Sequence, residues 1–329
     1  MNSRRFFQRR RHDLLYVLLL LMHAVVFVLP RRPGLRLFGL LGRIVFVFGG
    51  RERTRTLEHL RYIYGEQWNE TRIRRTARAV FVHLAKTLFD AVKLPRLSDA
   101  RFFRIVKHDP VEQARAAYER GRGLIVVTAH LGCFEMLLPF FARMGFRSFA
   151  VGRHMFDPRI ERMVARNRSG TNMEYVSRAD NPREILRRLK RGMAFGVLVD
   201  QDTDVDGVFA HFLGRPAYTP SGIVRLAMRY DIPLIVATTI RLPDETHRVS
   251  LSEPLTLRTG GDPDTDLVLN VERINEIIGT AIRQAPEQWV WMHRRWRRTP
   301  ETPGLNATPH IERLAPADTP RRHRGSSAR

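Results

Sequence analysis

Short apolar runs alternate with stretches of helical periodicity through the middle of the chain. Four of these runs, each bounded by turn residues, have the pattern of strands buried on both faces: 123–129, 148–152, 194–199 and 233–240. Apolar positions at helical spacing predict helices over 69–94, 110–121, 133–144, 158–169, 182–191, 220–230 and 266–284. Strands that alternate with helices predict an α/β fold with a mixed, largely parallel central sheet flanked by helices.

The two ends of the chain differ from this middle part. Five arginines among residues 4–11 precede an apolar run from Leu14 to Leu29, which prolines and arginines end at 30–33. The last stretch, from about residue 300, is rich in Pro, Thr, Ser and Arg, a composition typical of a disordered basic tail. We therefore predict a basic N-terminus with a hydrophobic membrane-anchoring helix over 1–33, an α/β domain over 34–300 and a tail over 301–329.

The apolar run near the N-terminus predicts a membrane anchor. At about 1.5 Å per residue, such a helix is a little short for a hydrocarbon core of about 30 Å. Arg31 and Arg32 stand where a signal peptide would have small residues for cleavage, which favours an uncleaved anchor. Arginines on both sides leave open whether it spans the bilayer or lies flat. Residues 35–48 predict a helix in the headgroup region or packed on the body, with a buried hairpin as the alternative.

Composition narrows the class of protein and of partner. The 329 residues are 43% hydrophobic, enough for a sizeable core, and a mean hydropathy of −0.28 excludes a polytopic membrane protein. The net charge of +23 requires an anionic partner, which is nucleic acid, a membrane surface or an acidic substrate. The single cysteine, Cys133, excludes an intrachain disulfide and a cysteine-cluster zinc site, and favours a cytoplasmic environment.

Active sites of parallel sheets lie at the carboxyl ends of the strands, so residues directly after a predicted strand are candidate catalytic residues. His130 follows the run 123–129, and Glu135 lies five positions further on. On one continuous helix this step is about 500° and separates the two side chains, whereas a turn at Gly132 brings them together. A histidine with a carboxylate beside its ring suits a general base. A structural histidine with a surface glutamate is the alternative.

Three further features have a functional and a structural interpretation. Asp200 and Asp202 follow the run 194–199, where paired carboxylates bind a metal, orient a substrate or cap a loop. Cys133 lies near His130 in sequence and suits a nucleophile, although a buried apolar role is more usual for a lone cysteine. The tryptophans and arginines of 289–298 form either an interfacial belt or the edge of the core.

Several ordered segments carry a resemblance to a known family. LIVVTAHLGCFE contains an HxxxxE motif, and VGRHMFDPRIERMVARNRSG, VLVDQDTDVDGVFAHFLGRPAYTP and PEQWVWMHRRWRR follow it in order. Over roughly residues 10–300 the chain resembles the lipid A biosynthesis acyltransferases of the lauroyl and myristoyl type, within the glycerolipid and lysophospholipid acyltransferase superfamily. The chain departs from this family at Cys133 and Phe134, where Asn-Trp is common.

This resemblance implies transfer of a fatty acyl chain from an acyl carrier protein or coenzyme A thioester to a hydroxyl of a lipid A precursor. It implies His130 as the general base and Glu135 as its orienting partner. Candidate substrate-binding residues in the matching segments are Arg153, Arg168, Asp200, Gln201 and Arg215. No metal or other cofactor is expected, because a thioester is already activated. The expected location is the cytoplasmic face of the inner membrane.

Two alternatives stay open. Another lipid acceptor, such as a phosphatidylinositol mannoside or a lysophospholipid, is compatible with the same motifs because the superfamily shares its base and varies its acceptor pocket. A membrane-associated nucleic-acid-binding protein is the distant alternative, permitted by the charge of +23. The sequence has no helix-turn-helix, zinc-finger or aromatic RNA-binding signature. We therefore expect acyl carrier protein, an anionic lipid and a membrane as partners, and no nucleic acid.

Overall fold

A computed structural model describes residues 3–152, 157–159, 161–162, 173–177 and 182–302. The helices in this part include α1 (Ser3–Val28), α2 (Arg31–Phe48), α3 (Gly50–Tyr64), α4 (Glu70–Lys93), α5 (Asp99–Ile105), α6 (Glu112–Tyr118), α7 (Leu137–Arg143), α8 (Pro182–Lys190), α9 (Gly222–Tyr230) and α10 (Pro263–Gln284). The strands are β1 (Val106–His108), β2 (Leu124–Thr128), β3 (Ser148–Gly152), β4 (Met173–Ser177), β5 (Ala194–Leu198), β6 (Gly207–Phe212), β7 (Arg215–Pro220), β8 (Leu234–Arg241) and β9 (His247–Leu251). Short 3-10 turns occur at Leu94–Arg96, Phe134–Met136 and Pro286–Gln288.

A seven-stranded sheet forms the centre of the fold, in the order β1-β9-β8-β2-β5-β3-β4. Neighbouring strands are parallel except for the antiparallel pair of β8 and β9. Strands β6 and β7 form a separate antiparallel hairpin. The prediction of a mixed, largely parallel sheet flanked by helices is confirmed.

All four predicted strands are present, as β2, β3, β5 and β8. Every residue of β2 is buried, and its alternate side chains enter two different hydrophobic cores. Ile125 and Val127 join one core, while Leu124 and Val126 join the other. A strand covered on both faces has no polar positions, which is why its sequence is a continuous apolar run.

The antiparallel hairpin of β6 and β7 is not among the strands that the sequence predicts. The pattern at 212–216 predicts a loop, and this stretch holds the two-residue turn at Leu213 and Gly214, both with positive φ. Glycine and proline within the two strands mask the alternation of side chains. The predicted helix 158–169 lies largely outside the described residues, as does the tail from residue 303.

The N-terminal helices do not provide a clear membrane span. Within the described residues, no single helix is long and apolar enough to cross a bilayer. The apolar part of α1, Tyr16–Val28, is shorter than that, and α2 and α3 together reach the length but meet at 90°. The predicted anchoring helix is therefore present as a short apolar helix, and a spanning role is not established. The predicted boundary after residue 33 falls inside α2.

Helix α2 confirms the helix predicted over 35–48, and the alternative of a buried hairpin is wrong. One face of α2 packs against α4, at a distance that only a glycine permits. A Cβ atom on Gly42 would lie 2.5 Å from the backbone oxygen of Phe81. The opposite face is apolar but exposed, and it consists of Leu37, Leu40, Leu41, Ile44, Val45, Val47 and Phe48. We call this surface the outer face of α2.

Candidate active site

Two neighbouring parallel strands bring His130 and Asp200 together. In the register of β2 and β5, Thr128 pairs with Leu198, and each candidate residue lies two positions beyond its strand. His130 Nδ1 lies 2.8 Å from Asp200 Oδ1, and the His130 backbone N–H donates to Asp200 Oδ2 at 2.8 Å. The carboxylate therefore fixes both the ring and the backbone of the histidine.

Asp200 is fully buried and is held as an anion. The indole N–H of Trp289 donates to Asp200 Oδ2 at 2.8 Å. Burial alone would raise the pKa of this carboxyl, but the charge and hydrogen bonds of His130 and the indole of Trp289 hold the pKa well below its usual range. When the imidazole is neutral, an anionic carboxylate at Nδ1 favours the tautomer with its proton on Nδ1. The lone pair of His130 is then at Nε2, as a general base requires.

A tight turn follows His130, at the glycine where the sequence predicts one. Gly132 has φ +56°, and a Cβ atom there would lie 2.1 Å from the backbone oxygen of Thr239. The conformation disfavours other residues, and the contact excludes them. The Thr87 hydroxyl of α4 donates to the Gly132 carbonyl at 3.1 Å. This turn therefore fixes the position of His130 against α4 and β8.

Glu135 is not the carboxylate at His130 Nδ1. It lies in the 3-10 turn Phe134–Met136, beyond the turn at Gly132. The Nδ1 position expected for Glu135 belongs to Asp200, which is 70 positions from His130 in the chain. A neighbouring strand thus supplies the partner that the spacing of HxxxxE assigns to Glu135. A catalytic role of Glu135 stays a prediction.

A second histidine, His293, stands beside the Nε2 edge of His130. The amide nitrogen of Gln201 lies 3.3 Å from His130 Nε2, and 2.8 and 3.0 Å from the two ring nitrogens of His293. The two imidazole rings are perpendicular, with centroids 4.5 Å apart. Burial, followed by the charge of His130, lowers the pKa of His293 to about 4. Sequence reasoning missed His293, whose one signal was its place in the segment PEQWVWMHRRWRR.

The segment after α10 covers the site and belongs to the core. The Val290 backbone N–H donates to the carbonyl of His130 at 3.2 Å. Trp289 and Trp291 are fully buried, and the buried Arg295 donates to backbone and hydroxyl oxygens of β7. Of the two interpretations of this aromatic and basic cluster, the edge of the core is therefore the one that the packing supports.

Asp202 has a structural environment that differs from that of Asp200. Its buried carboxylate accepts from the backbone N–H of Arg298 at 2.9 Å and pairs with the guanidinium of Arg297 at 3.3 Å. These contacts tie the loop after β5 to the C-terminal segment. In the part of the chain that the structure describes, no three His, Cys, Asp or Glu side chains are grouped so that they could hold a metal ion.

Cys133 is buried in the hydrophobic core that contains Leu124 and Val126, and it does not face the site. Burial raises the pKa of its thiol, and the nearby carboxylate of Asp90 raises it further. A nucleophilic cysteine requires the thiolate. These surroundings therefore favour the apolar role.

Of the other predicted binding residues, one lies away from His130 and two lie outside the described residues. Arg215 pairs with Glu66 at 3.3 Å and stacks over the ring of Tyr62 at 5.0 Å. No contact between described residues joins Arg215 to the cluster around His130. Arg153 and Arg168 lie outside the described residues. Their predicted roles in substrate binding stay predictions.

Known proteins resemble this chain over most of its length. The sequence profile of the family described as bacterial lipid A biosynthesis acyltransferase matches residues 5–298. The chain is 28% identical over 212 residues to a lipid A biosynthesis palmitoleoyltransferase of Escherichia coli. This alignment covers 61% of this chain and 65% of that protein. The chain is 21% identical over 266 residues to a lipid A biosynthesis acyltransferase of Haemophilus influenzae, and this alignment covers 80% of this chain and 81% of that protein. The alignment thus spans just under two thirds of the Escherichia coli relative.

Proposed function

The chain belongs to the bacterial lipid A biosynthesis acyltransferase family, and from this premise we propose that it transfers a fatty acyl group from a thioester to a hydroxyl of a lipid A precursor. The donor in this proposal is an acyl carrier protein or coenzyme A thioester. The observation that carries the proposal is the pair of His130 and Asp200, with a buried carboxylate at Nδ1 and a histidine side chain that is 18% exposed. That arrangement is what deprotonation of a hydroxyl needs.

The proposed reaction uses one proton acceptor. His130 Nε2 takes the proton of the acceptor hydroxyl while its oxygen forms a bond to the thioester carbonyl carbon. Asp200 stabilises the imidazolium that results. The tetrahedral oxyanion then collapses, the carbon–sulfur bond breaks, and the leaving thiolate takes the proton from Nε2. Because a thioester is already activated, this scheme uses no metal or other cofactor.

We assign Gln201 and His293 to the positioning of His130 and the acceptor. The Gln201 amide contacts Nε2 of His130, at the place where a hydroxyl must approach. His293 holds this amide from the other side. With a pKa of about 4, His293 is neutral at neutral pH and does not repel the imidazolium that forms on His130.

Other residues enter the proposal through the family resemblance alone. Arg153 and Arg168 bind phosphate oxygens of the acceptor, since guanidinium groups form paired hydrogen bonds with phosphate. Arg215 contributes to the same positive surface, and Asp200 also organises the acceptor side. Glu135 assists His130 from a position other than Nδ1.

We further propose that the protein works on the cytoplasmic face of the inner membrane. The outer face of α2 supports this, because a continuous exposed apolar surface favours contact with lipid. The apolar part of α1 and the net charge of +23 add attraction to an anionic leaflet. Replacing Leu40 and Ile44 by aspartate should release part of the protein from membranes, whereas the same change at two exposed polar positions should not.

The deciding experiment is transfer of a labelled acyl chain from acyl carrier protein to a panel of lipids, with wild type and His130→Ala in detergent. We expect a labelled lipid A product that disappears with His130→Ala. Transfer to a phosphatidylinositol mannoside or lysophospholipid instead would keep the reaction and replace the acceptor. No transfer to any acceptor, with the folded protein released from membranes by nuclease or high salt, would contradict the proposal and favour nucleic-acid binding.

A further inference from the structure

A second concave surface lies between α2, α3 and α4, apart from the residues around His130. It encloses about 310 Å³. The side chains that matter for its chemistry are Phe46, Leu57, Arg53, Arg61, Arg74 and Arg78. We call it the arginine groove. None of these residues takes part in the proposed acyl transfer.

The arginine groove carries more positive than negative charge. Its four guanidinium groups face one carboxylate in the wall, Glu58, and a second at the rim, Glu70. Glu70 accepts hydrogen bonds from two of the arginines, first from Arg61 and then from Arg74, and these lower its pKa to about 2. Among the described residues, no carboxylate pairs with Arg53 or Arg78. Arg53 Nη1 donates to the backbone carbonyl of Val47 at 3.0 Å, and the other N–H groups of the two guanidiniums are available to an anion.

The same two arginines stand beside apolar surface. The guanidinium carbons of Arg53 and Arg78 each lie 5.9 Å from the ring centroid of Phe46. Next to Phe46 in α2, Val47 and Phe48 are 60% and 81% exposed. Cationic and apolar surface thus adjoin at the C-terminal end of α2, where the outer face of this helix ends.

We propose that the arginine groove binds the phosphate headgroup of an anionic membrane lipid, with the acyl chains against the outer face of α2. Arginine is suited to phosphate because its planar fork makes two parallel charge-assisted hydrogen bonds. A free phosphate ion satisfies the arginines but leaves Val47 and Phe48 in water. A lipid satisfies both surfaces at once, and this distinguishes it from an inorganic anion.

The test measures lipid binding to the full chain in a neutral detergent. Dihexanoyl phosphatidic acid is titrated against wild type, with dihexanoyl phosphatidylcholine and inorganic phosphate as comparison ligands. The groove variant is Arg53→Gln with Arg78→Gln. The matched control is Arg120→Gln with Arg191→Gln, which removes the same charge from two exposed positions just after the ends of α6 and α8. We expect the groove variant to lose about tenfold or more in affinity for phosphatidic acid and the control to lose little.

Three results would overturn the proposal. They are equal binding of the two lipids by wild type, equal losses in the groove and control variants, and inorganic phosphate that binds as tightly as the lipid. If the groove variant is unfolded by circular dichroism, Arg53→Lys with Arg78→Lys replaces it, and we expect this variant to retain the charge attraction but to bind more weakly than wild type. Because the readout is binding, the result does not depend on whether the protein transfers acyl groups.

Discussion

Among the described residues, two buried aspartates accept hydrogen bonds from a histidine, yet only one of these pairs faces the candidate site. Asp200 accepts from His130 Nδ1 at 2.8 Å, and Asp90 of α4 accepts from His247 Nε2 of β9 at 2.9 Å. Both carboxylates are fully buried. The presence of a histidine–aspartate pair alone therefore does not identify a catalytic base.

The surroundings of the two pairs explain the difference. Arg31 donates to both oxygens of Asp90 at 2.8 Å, and Arg241 donates to one of them at 2.7 Å. The side chain of His247 is completely buried, and burial lowers its pKa despite the nearby carboxylate. The His130 side chain is 18% exposed and has the carboxylate without competing arginine contacts. A base needs one nitrogen that substrate can reach and a carboxylate that forms no ion pair with another side chain.

The largest effect should follow from Asp200→Asn. An amide at Nδ1 no longer favours the tautomer with a free Nε2 and no longer stabilises the imidazolium, so we expect turnover to fall by about 10³- to 10⁴-fold. Acyl transfer measured with the folded variant checks this expectation.

Glu135→Gln is the matched control for the Nδ1 assignment. It removes a carboxylate from the same motif without touching the Nδ1 contact of His130, so turnover should fall far less than in Asp200→Asn. A larger loss of turnover in Glu135→Gln than in Asp200→Asn would restore Glu135 as the orienting partner.

Asp90→Ala should act on stability and not on chemistry. It leaves two arginines and a histidine without their anion in a buried place, which costs about 3–5 kcal/mol of unfolding free energy. Turnover per folded molecule should stay within a few-fold of wild type. Denaturant unfolding and an active-site titration separate the two quantities, and a loss of turnover in fully folded Asp90→Ala would remove the contrast between the pairs.

The contrast also shows which parts of the site the sequence reveals. Buried parallel strands have a continuous apolar pattern, so the ends of β2 and β5, and with them His130 and Asp200, are found from sequence alone. That β5 is the neighbour of β2 depends on strand order, which no local pattern encodes. The spacing of HxxxxE therefore favours Glu135, which is close in the chain, over Asp200, which is 70 positions away. His293 is also remote in the chain, because it lies 92 positions from Gln201, the residue whose amide it contacts.

His293→Ala should reduce turnover by a smaller factor, about 10- to 100-fold, because it frees the Gln201 amide without touching the proton acceptor. His293→Asn keeps a polar partner for that amide and should recover part of the loss. We expect the Michaelis constant to change less than turnover, since the chemistry of the hydroxyl is affected more than binding. Steady-state kinetics of both variants check this, and an unchanged turnover in His293→Ala would exclude a positioning role.

The smallest effect concerns His83, which lies in α4 near the Asp90 pair. Burial, followed by the charge of Arg241, lowers the pKa of His83 to about 4, and its Nδ1 atom is buried without a hydrogen-bond partner. The unfolded chain takes up this proton below about pH 6.5, and the folded protein only below about pH 4. The unfolded state therefore binds more protons between these values, and stability falls as the pH falls through that window.

His83→Leu removes this contribution while His247 and His293, whose pKa values are lowered in the same direction, keep theirs. The unfolding free energy of the variant relative to that of wild type should therefore be about 2 kcal/mol higher at pH 4.5 than at pH 7. Denaturant unfolding at the two pH values measures this change. A variant that loses as much stability between these pH values as wild type does would show that the fold does not lower the pKa of His83.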